Sequence, residues 1–236
     1  MPSFDVAIIG LGVMGSAALA ALARRGRRVV GIDRFAPAHD RGSSHGTTRV
    51  IRLGYFEHPS YVPLVRAAYP LWRELEARSG QSLMTITGIV EIGAPASDLV
   101  AGTLRSSQFH GLPYEILDAR RLMKRFPAFR LPDDFVGVFQ PDGGFVRAEP
   151  AVAALQALAS RSGAELIWNE PVLAVEPHRD GVGDDRARRY SRRMRDRGRR
   201  TMAEGAAAAT ARAAPGDAPG ARLVRAGRPR TPAVRG

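Results

Sequence analysis

The stretch FDVAIIGLGVMGSAALAALARRGRRVVGIDR, residues 4–34, decides the fold. It opens on DVAII (5–9), an apolar run of strand length, and Gly10, Gly12 and Gly15 follow in G-x-G-x-x-G spacing. Residues 17–23 are small and helix-favouring. Arg24 and Arg25 stand where they oppose the negative end of a helix dipole, and Gly26 suits a left-handed cap. VVGI (29–32) is a second short strand, closed by Asp33, 18 residues after Gly15. Gly10 permits a tight exit from the strand, Gly12 has no side chain to block a pyrophosphate, and Gly15 lets the helix lie close to the strands. The helix N-terminus offers unpaired N–H groups to phosphate. Asp33 lies near the offset of about 20 residues expected of an acid that accepts hydrogen bonds from ribose hydroxyls. The unit reads as a βαβ dinucleotide site rather than an ordinary glycine-rich turn. It does not choose between FAD and NAD(P), which share it.

Residues 6–23 are also 18 residues without a charge, the length of an export or membrane segment. What precedes them carries Asp5 and no Lys or Arg, whereas an export signal needs a positive start. No other apolar run approaches membrane length, so the expectation is a soluble, cytoplasmic protein without membrane partners. The 236 residues contain no Cys, which excludes a disulfide, a Cys-based zinc site and a cysteine–flavin bond. The five histidines, at 39, 45, 58, 110 and 178, show no ligand spacing, so no metal site is expected.

The net charge of +12 is unevenly placed. Residues 1–180 hold 20 Lys+Arg against 18 Asp+Glu, and residues 181–236 hold 15 against 5. That last quarter has 15 Arg, 13 Ala, 8 Gly and 4 Pro, and no Lys, Phe, Trp or Ile. Such a segment buries too little apolar surface to offset its ordering entropy. A disordered basic tail is expected over 179–236, with at most a wavering helix over 202–214. The run RARRYSRRMR (186–195) could bind phosphate backbones non-specifically. Arg, Ala, Gly and Pro are also what an out-of-frame G/C-rich gene yields, and a lost reading frame near 182–186 is the reading preferred here.

After Asp33 comes FAPAHDRGSSHGTTRVIRLGY (35–55), long, polar and rich in Gly and Ser. A loop of that length in a compact domain is usually functional or disordered. Arg49 and Arg52 are three apart and share a face if the segment is helical, with His45 close by. The fingerprint, the Asp33 end, GSSHGTTRVIR (42–52), YVPL (61–64) and LWRELE (71–76) together resemble the monomeric sarcosine oxidase and N-methyltryptophan oxidase group, within the glycine/D-amino-acid oxidase flavoproteins. The resemblance runs from about residue 4 to about residue 178. It implies an α/β protein: a Rossmann-like FAD-binding domain with an inserted, partial α+β substrate domain, then the disordered basic C-terminal tail. The FAD-binding domain is expected over 1–84 and 146–178, and the substrate domain over 85–145.

The resemblance also implies the chemistry. Such enzymes oxidise N-methyl or other secondary amino acids to an imine, with O2 consumed and hydrogen peroxide released, and act as monomers. Arg52 matches the arginine that holds the substrate carboxylate, Arg49 the arginine beside the flavin ring, and His45 a histidine near it. Gly10, Gly12, Met14, Gly15, Asp33, Arg34, Ser44 and Thr48 match positions that hold FAD, with Asp33 and Arg34 at the adenosine ribose. Arg suits a carboxylate anchor by its planar, two-pronged donor edge.

Along the chain, 60–78 reads as a helix capped by Ser60, kinked at Pro70 and ended by Gly80. Tyr61, Leu64, Val65, Ala68, Leu71, Trp72 and Leu75 are its core-facing stripe. Strands are expected at 87–92, 114–117, 135–140, 165–168 and 172–175. Helices are expected at 96–109, 118–125 and 145–162, and a turn at PDGG (141–144). The group's flavin-linking cysteine and its two functional lysines are missing. The only Lys, Lys124, matches neither lysine. A third core strand with an Ala-Gly pair should follow residue 178, where the Arg-rich tail begins instead. The chain is therefore expected to be a truncated and inactive copy, short of sheet partners, with exposed apolar edges. An NAD(P)-dependent dehydrogenase, or a nucleic-acid binder acting through the tail, are the competing readings. Neither accounts for residues 42–52. Sequencing the coding DNA tests the frame: a continuation in another frame that encodes the missing cysteine and lysines is expected, and its absence contradicts the lost frame.

Overall fold

The computed structural model describes residues 4–37, 39–178 and 220–225. In chain order the elements are β1 (Val6–Ile9), α1 (Val13–Arg24), β2 (Val29–Ile32), β3 (Thr48–Ile51), α2 (Tyr61–Ser79), β4 (Met84–Ile86), β5 (Ile89–Gly93) and α3 (Asp98–His110). Then come β6 (Glu115–Asp118), α4 (Ala119–Arg125), β7 (Val136–Gln140), β8 (Gly144–Arg147), α5 (Ala148–Arg161), β9 (Glu165–Ile167), β10 (Val172–His178) and β11 (Gly220–Arg225). They form two compact units, residues 1–45 with 151–236, and residues 46–150.

In the first unit β1 and β2 run parallel with Val6 opposite Val29 and Ile9 opposite Ile32, and β2 pairs parallel with β9. The order is β1-β2-β9. Strands buried on both faces read as continuous apolar runs, and β2, VVGI, is buried at every position. Ala7, Val30 and Ile32 form a core cluster against which Phe4, Ile167 and Val172 pack. The alanines of α1 keep it close to the sheet, and Leu19, Ala20 and Ala23 are buried. β1 pairs on one side only among the described residues, yet Val6, Ala7 and Ile8 are themselves buried.

In the second unit two antiparallel sheets follow the orders β3-β8-β4 and β5-β7-β6. β3 pairs with β8 across the unit, Thr48 opposite Arg147, which draws residues 46–84 into the same body as 85–145. Asp118 caps α4 by accepting from the Arg121 N–H at 2.8 Å, as its sequence position suggests. Gly80 ends α2 in the left-handed conformation, φ 68°. The Tyr69 hydroxyl donates to the Asp142 carbonyl at 2.6 Å, tying α2 to the PDGG turn. Burial, then Asp142 and Tyr55, push its pKa up to about 12.

Residues 48–51, whose state the sequence left open, are a strand, because pairing with β8 satisfies their backbone. Three expectations are corrected. The predicted helix 145–162 begins at Ala148, since Phe145, Val146 and Arg147 belong to the central strand β8 between β3 and β4. Pro150 then falls in the first turn of α5, where its missing N–H is tolerated. Ser60 makes no side-chain cap. The stripe assigned to the core of α2 is not all core. Leu64 and Leu71 are 69% and 61% exposed, whereas Val62 and Leu75 are buried. The buried arc of α2 is centred nearer Val65 and Trp72, which are half-buried, and periodicity alone does not place its edge.

The tail reading is corrected at one place: Gly220–Arg225 is a strand, antiparallel to β10. The 202–214 helix and the 186–195 arginine run lie outside the described residues. Among the described residues no helix is long and apolar enough to cross a membrane.

Glu76 closes α2 onto β4. Its Oε1 accepts from the N–H groups of Leu83 at 2.7 Å and Met84 at 2.8 Å, and its Oε2 lies 2.7 Å from Arg73 Nη1. Burial acts to raise its pKa, but the bonds from Met84, Arg73 and Leu83 outweigh it and hold the carboxyl below its ordinary 4.5. Its contribution is therefore present above pH 4.5 and lost as pH falls through the lower folded value. Glu76→Ala is expected to lower the unfolding free energy by about 1–3 kcal/mol at neutral pH. In urea denaturation the difference from the parent chain should shrink on acidification.

Candidate functional site

The glycine turn between β1 and α1 is built as its residue types predict. Gly10 leaves β1 with φ 90°, a conformation that L side chains rarely adopt. Its N–H donates to the Ile32 carbonyl at 2.8 Å. Gly12 is the residue before α1, extended, with no side chain to cap the helix. A Cβ on Gly15 would lie 1.9 Å from the Gly10 carbonyl oxygen, so the first turn of α1 packs directly on the loop backbone. A Cβ on Gly12 would come 3.0 Å from the Ser44 hydroxyl. That hydroxyl accepts from the Val13 N–H at 2.9 Å and keeps its own proton to donate. Met14 lies one residue on in the same turn, 76% exposed. A helix N-terminus fronted by Gly, a hydroxyl and main-chain N–H groups is a ready anion site.

The turn is clamped through the Leu11 backbone. The Leu11 N–H donates to Asp33 Oδ2 at 2.7 Å, while Asp33 Oδ1 accepts from the Phe35 N–H at 2.9 Å. Asp33 is 5% exposed, and each of its oxygens keeps a second lone pair for a ligand hydroxyl. The Leu11 carbonyl accepts from the Ser16 hydroxyl at 2.8 Å and from Gln156 Nε2, on α5, at 2.9 Å. The sequence reading missed Ser16 and Gln156. The available signal was Gln156 as the one amide in the otherwise small, apolar run 151–159. Beyond Asp33, Arg34 and Arg41 lie over the Phe35 ring, 4.7 and 5.4 Å from its centre. His39 Nε2 is 3.6 Å from Asp33 Oδ1. His45, exposed, ends this part of the first unit, its N–H donating to the Gly42 carbonyl at 3.2 Å.

Thr48, Arg49 and Arg52 fall in the second unit. Thr48 and Arg49 are exposed on β3, and Arg49 Nη1 donates to the Thr48 carbonyl at 2.9 Å. Arg52 is different: its side chain is 17% exposed. Its Nε is 3.0 Å from Glu91 Oε1, in charge contact but without hydrogen-bond alignment. Its Nη2 is 3.5 Å from Glu57, and its guanidinium lies over the Tyr55 and Phe56 rings at 4.7 and 5.5 Å. Glu91, 7% exposed, accepts at Oε2 from Thr103 at 2.6 Å and from Gln140 at 2.8 Å. The sequence reading missed this network. A lone carboxylate within the apolar strand IVEIG was the sign that it existed. Burial pushes the Glu91 carboxyl above 4.5, a push that Thr103, the Arg52 charge and Gln140 only partly offset.

The sequence pattern of the family described as FAD dependent oxidoreductase matches residues 5–225. Monomeric sarcosine oxidase of Streptomyces avermitilis is 48% identical over 181 residues, 77% of this chain and 47% of that protein. N-methyl-L-tryptophan oxidase of Yersinia pestis is 37% identical over 179 residues, 76% of this chain and 48% of that protein. Among solved structures, NikD, an unusual amino acid oxidase essential for nikkomycin biosynthesis, superposes with a TM-score of 0.70. It is 32% identical, over 77% of this chain and 47% of its own. The chain thus spans about half the length of the curated relatives it matches.

Two outcomes follow from the geometry. Gly15→Ala must force the Gly10 backbone aside and is expected to lower stability by about 1–3 kcal/mol. Unchanged chemical denaturation would contradict that close approach. Because the folded pKa of Glu91 is raised, its contribution is full below pH 4.5 and is lost as pH rises through the folded value. Stability measured against pH should show that loss in the parent chain and not in Glu91→Gln.

Proposed function

The chain belongs to the FAD dependent oxidoreductase family, and from that premise we propose that it binds FAD in its first unit and presents a carboxylate anchor, Arg52, for the oxidation of a secondary amino acid. The observation that carries the proposal is the cradle itself. The approach of Gly15 to the Gly10 carbonyl, 1.9 Å for a notional Cβ, and the bare N-terminus at Gly12 leave room for a pyrophosphate and none for a side chain. Gly10, Gly12, Met14, Gly15 and Ser44 are assigned to the phosphates, Asp33 and Arg34 to the adenosine ribose, and Thr48 to the flavin-bearing end. FAD, when bound, supplies the two-electron acceptor for hydride abstraction from the carbon next to the amine.

The protein's own work is binding and electrostatics. The N-terminus of α1 offsets phosphate charge, and the clamped Leu11 backbone holds the turn before it in place. Arg52, walled by Tyr55 and Phe56, offers its terminal nitrogens to a carboxylate in a site drier than bulk water, where the attraction is stronger. Arg49 is assigned to the flavin ring and His45 to its neighbourhood. The names of the relatives support sarcosine or an N-methylated amino acid as substrate, O2 as co-substrate and a monomer as the working form.

Because the chain spans about half the length of those relatives, the test is binding rather than turnover. The full 236-residue chain, titrated with FAD, should bind one equivalent, quenching the flavin fluorescence and leaving a yellow protein after desalting. Failure to retain FAD, or preferential binding of NADH or NADPH, would overturn the proposal.

A further inference from the structure

We infer that Glu91 is the positioning residue of the carboxylate site: it fixes the Arg52 guanidinium so that the terminal nitrogens, and not Nε, meet an incoming carboxylate. The inference rests on the reading that Arg52 takes that carboxylate. Three elements of the second unit, β5, α3 and β7, converge on it. Glu91 sits in the middle of β5 and is 7% exposed, too deep to touch a substrate. Its Oε2 is held from α3 by Thr103 at 2.6 Å and from β7 by Gln140 at 2.8 Å. Its Oε1 is left to face Arg52 Nε at 3.0 Å. Gln140 in turn accepts the Gly54 N–H at 2.7 Å through its own Oε1. The Ser106 hydroxyl of α3 donates to the Tyr55 carbonyl.

The segment from Arg52 to Tyr55 is thereby fastened at three points to parts already fixed by sheet and helix packing. One of those points is the guanidinium itself. A carboxylate in this place needs a reason, since an aliphatic side chain would fill a strand interior without the desolvation cost of a charge. The reason the geometry offers is directional. Nε is on the inward edge of the guanidinium, and engaging it turns the outer edge toward Glu57, which is 44% exposed at its side chain. The charge of Glu91 by itself would weaken anion binding, because it opposes part of the charge on Arg52. A purely electrostatic role therefore predicts the opposite result from a positioning role.

The test uses the full-length chain and acetate as the probe, with acetamide as its neutral counterpart. Binding is followed by nitrogen–proton NMR of the arginine side chains. Glu91→Asp keeps the charge but is one methylene too short to reach Arg52 while holding Thr103 and Gln140. It is expected to weaken acetate binding about tenfold, the scale of one lost hydrogen bond to a charged group. Acetamide binding should stay as it was, and the Arg52 Nε–H signal should move in the absence of ligand. Thr103→Val, a milder change that removes one holder of Glu91, should move both readouts in the same direction and carries the test if Glu91→Asp does not fold. Glu91→Asp and Thr103→Val binding acetate as the parent does, or more tightly, would overturn the inference while leaving the Arg52 reading intact. Arg52→Ala binding acetate as the parent does would overturn both.

Discussion

The first unit depends on the backbone of one residue, Leu11. The Leu11 N–H is taken by a carboxylate at the end of β2, and the Leu11 carbonyl is taken by a hydroxyl of α1 and an amide of α5. Three elements, two of them distant in sequence, thus agree on the orientation of a single turn. The consequence is that the turn is fixed before any ligand arrives, with the Val13 N–H already held by the Ser44 hydroxyl. Orienting donors in advance spares a ligand the cost of ordering them. Asp33 serves this arrangement twice, since it holds the turn at one oxygen and the Phe35 N–H at the other.

The second unit follows the same logic with charges instead of backbone groups. A guanidinium that is to meet an anion must be held with its outer edge within reach. Glu91 lies against Nε, with its other oxygen satisfied by neutral donors from α3 and β7, while Glu57 stands 3.5 Å from Nη2 on the exposed side. The aromatic faces of Tyr55 and Phe56 supply the remaining wall. Arg49 has no such setting. It lies exposed on β3 and bonds to the carbonyl of the residue before it.

Local chemistry was legible in the sequence wherever one residue type has one mechanical use. Gly10, Gly12, Gly15 and Asp33 were readable because a close approach, a bare helix start and an acid at the strand end leave no substitute. The Asp118 cap and the Gly80 stop were readable for the same reason. What was not legible is set by partners far along the chain. The segment 48–51 is a strand because β8, nearly a hundred residues later, pairs with it, and its one arginine gave no hint of that pairing. Phe145 went to a strand for the same cause. On α2 the apolar residues spread round the helix, and only packing shows that the buried face runs from Val62 through Val65 and Trp72 to Leu75, leaving Leu64 and Leu71 exposed. Glu91 and Gln156 became visible as functional candidates only when their contacts were known, although each stood out as a polar residue in an apolar run.

The central claim is that the turn after β1 is a preformed cradle for an adenine dinucleotide, and amide hydrogen exchange of the full chain with and without FAD tests it most directly. The account predicts that FAD slows exchange at the amides of residues 10–16 and around Ser44, while the amides of α3 and β7 are unchanged. Exchange that does not respond to FAD, or that slows elsewhere and leaves the glycine turn as it was, would contradict it.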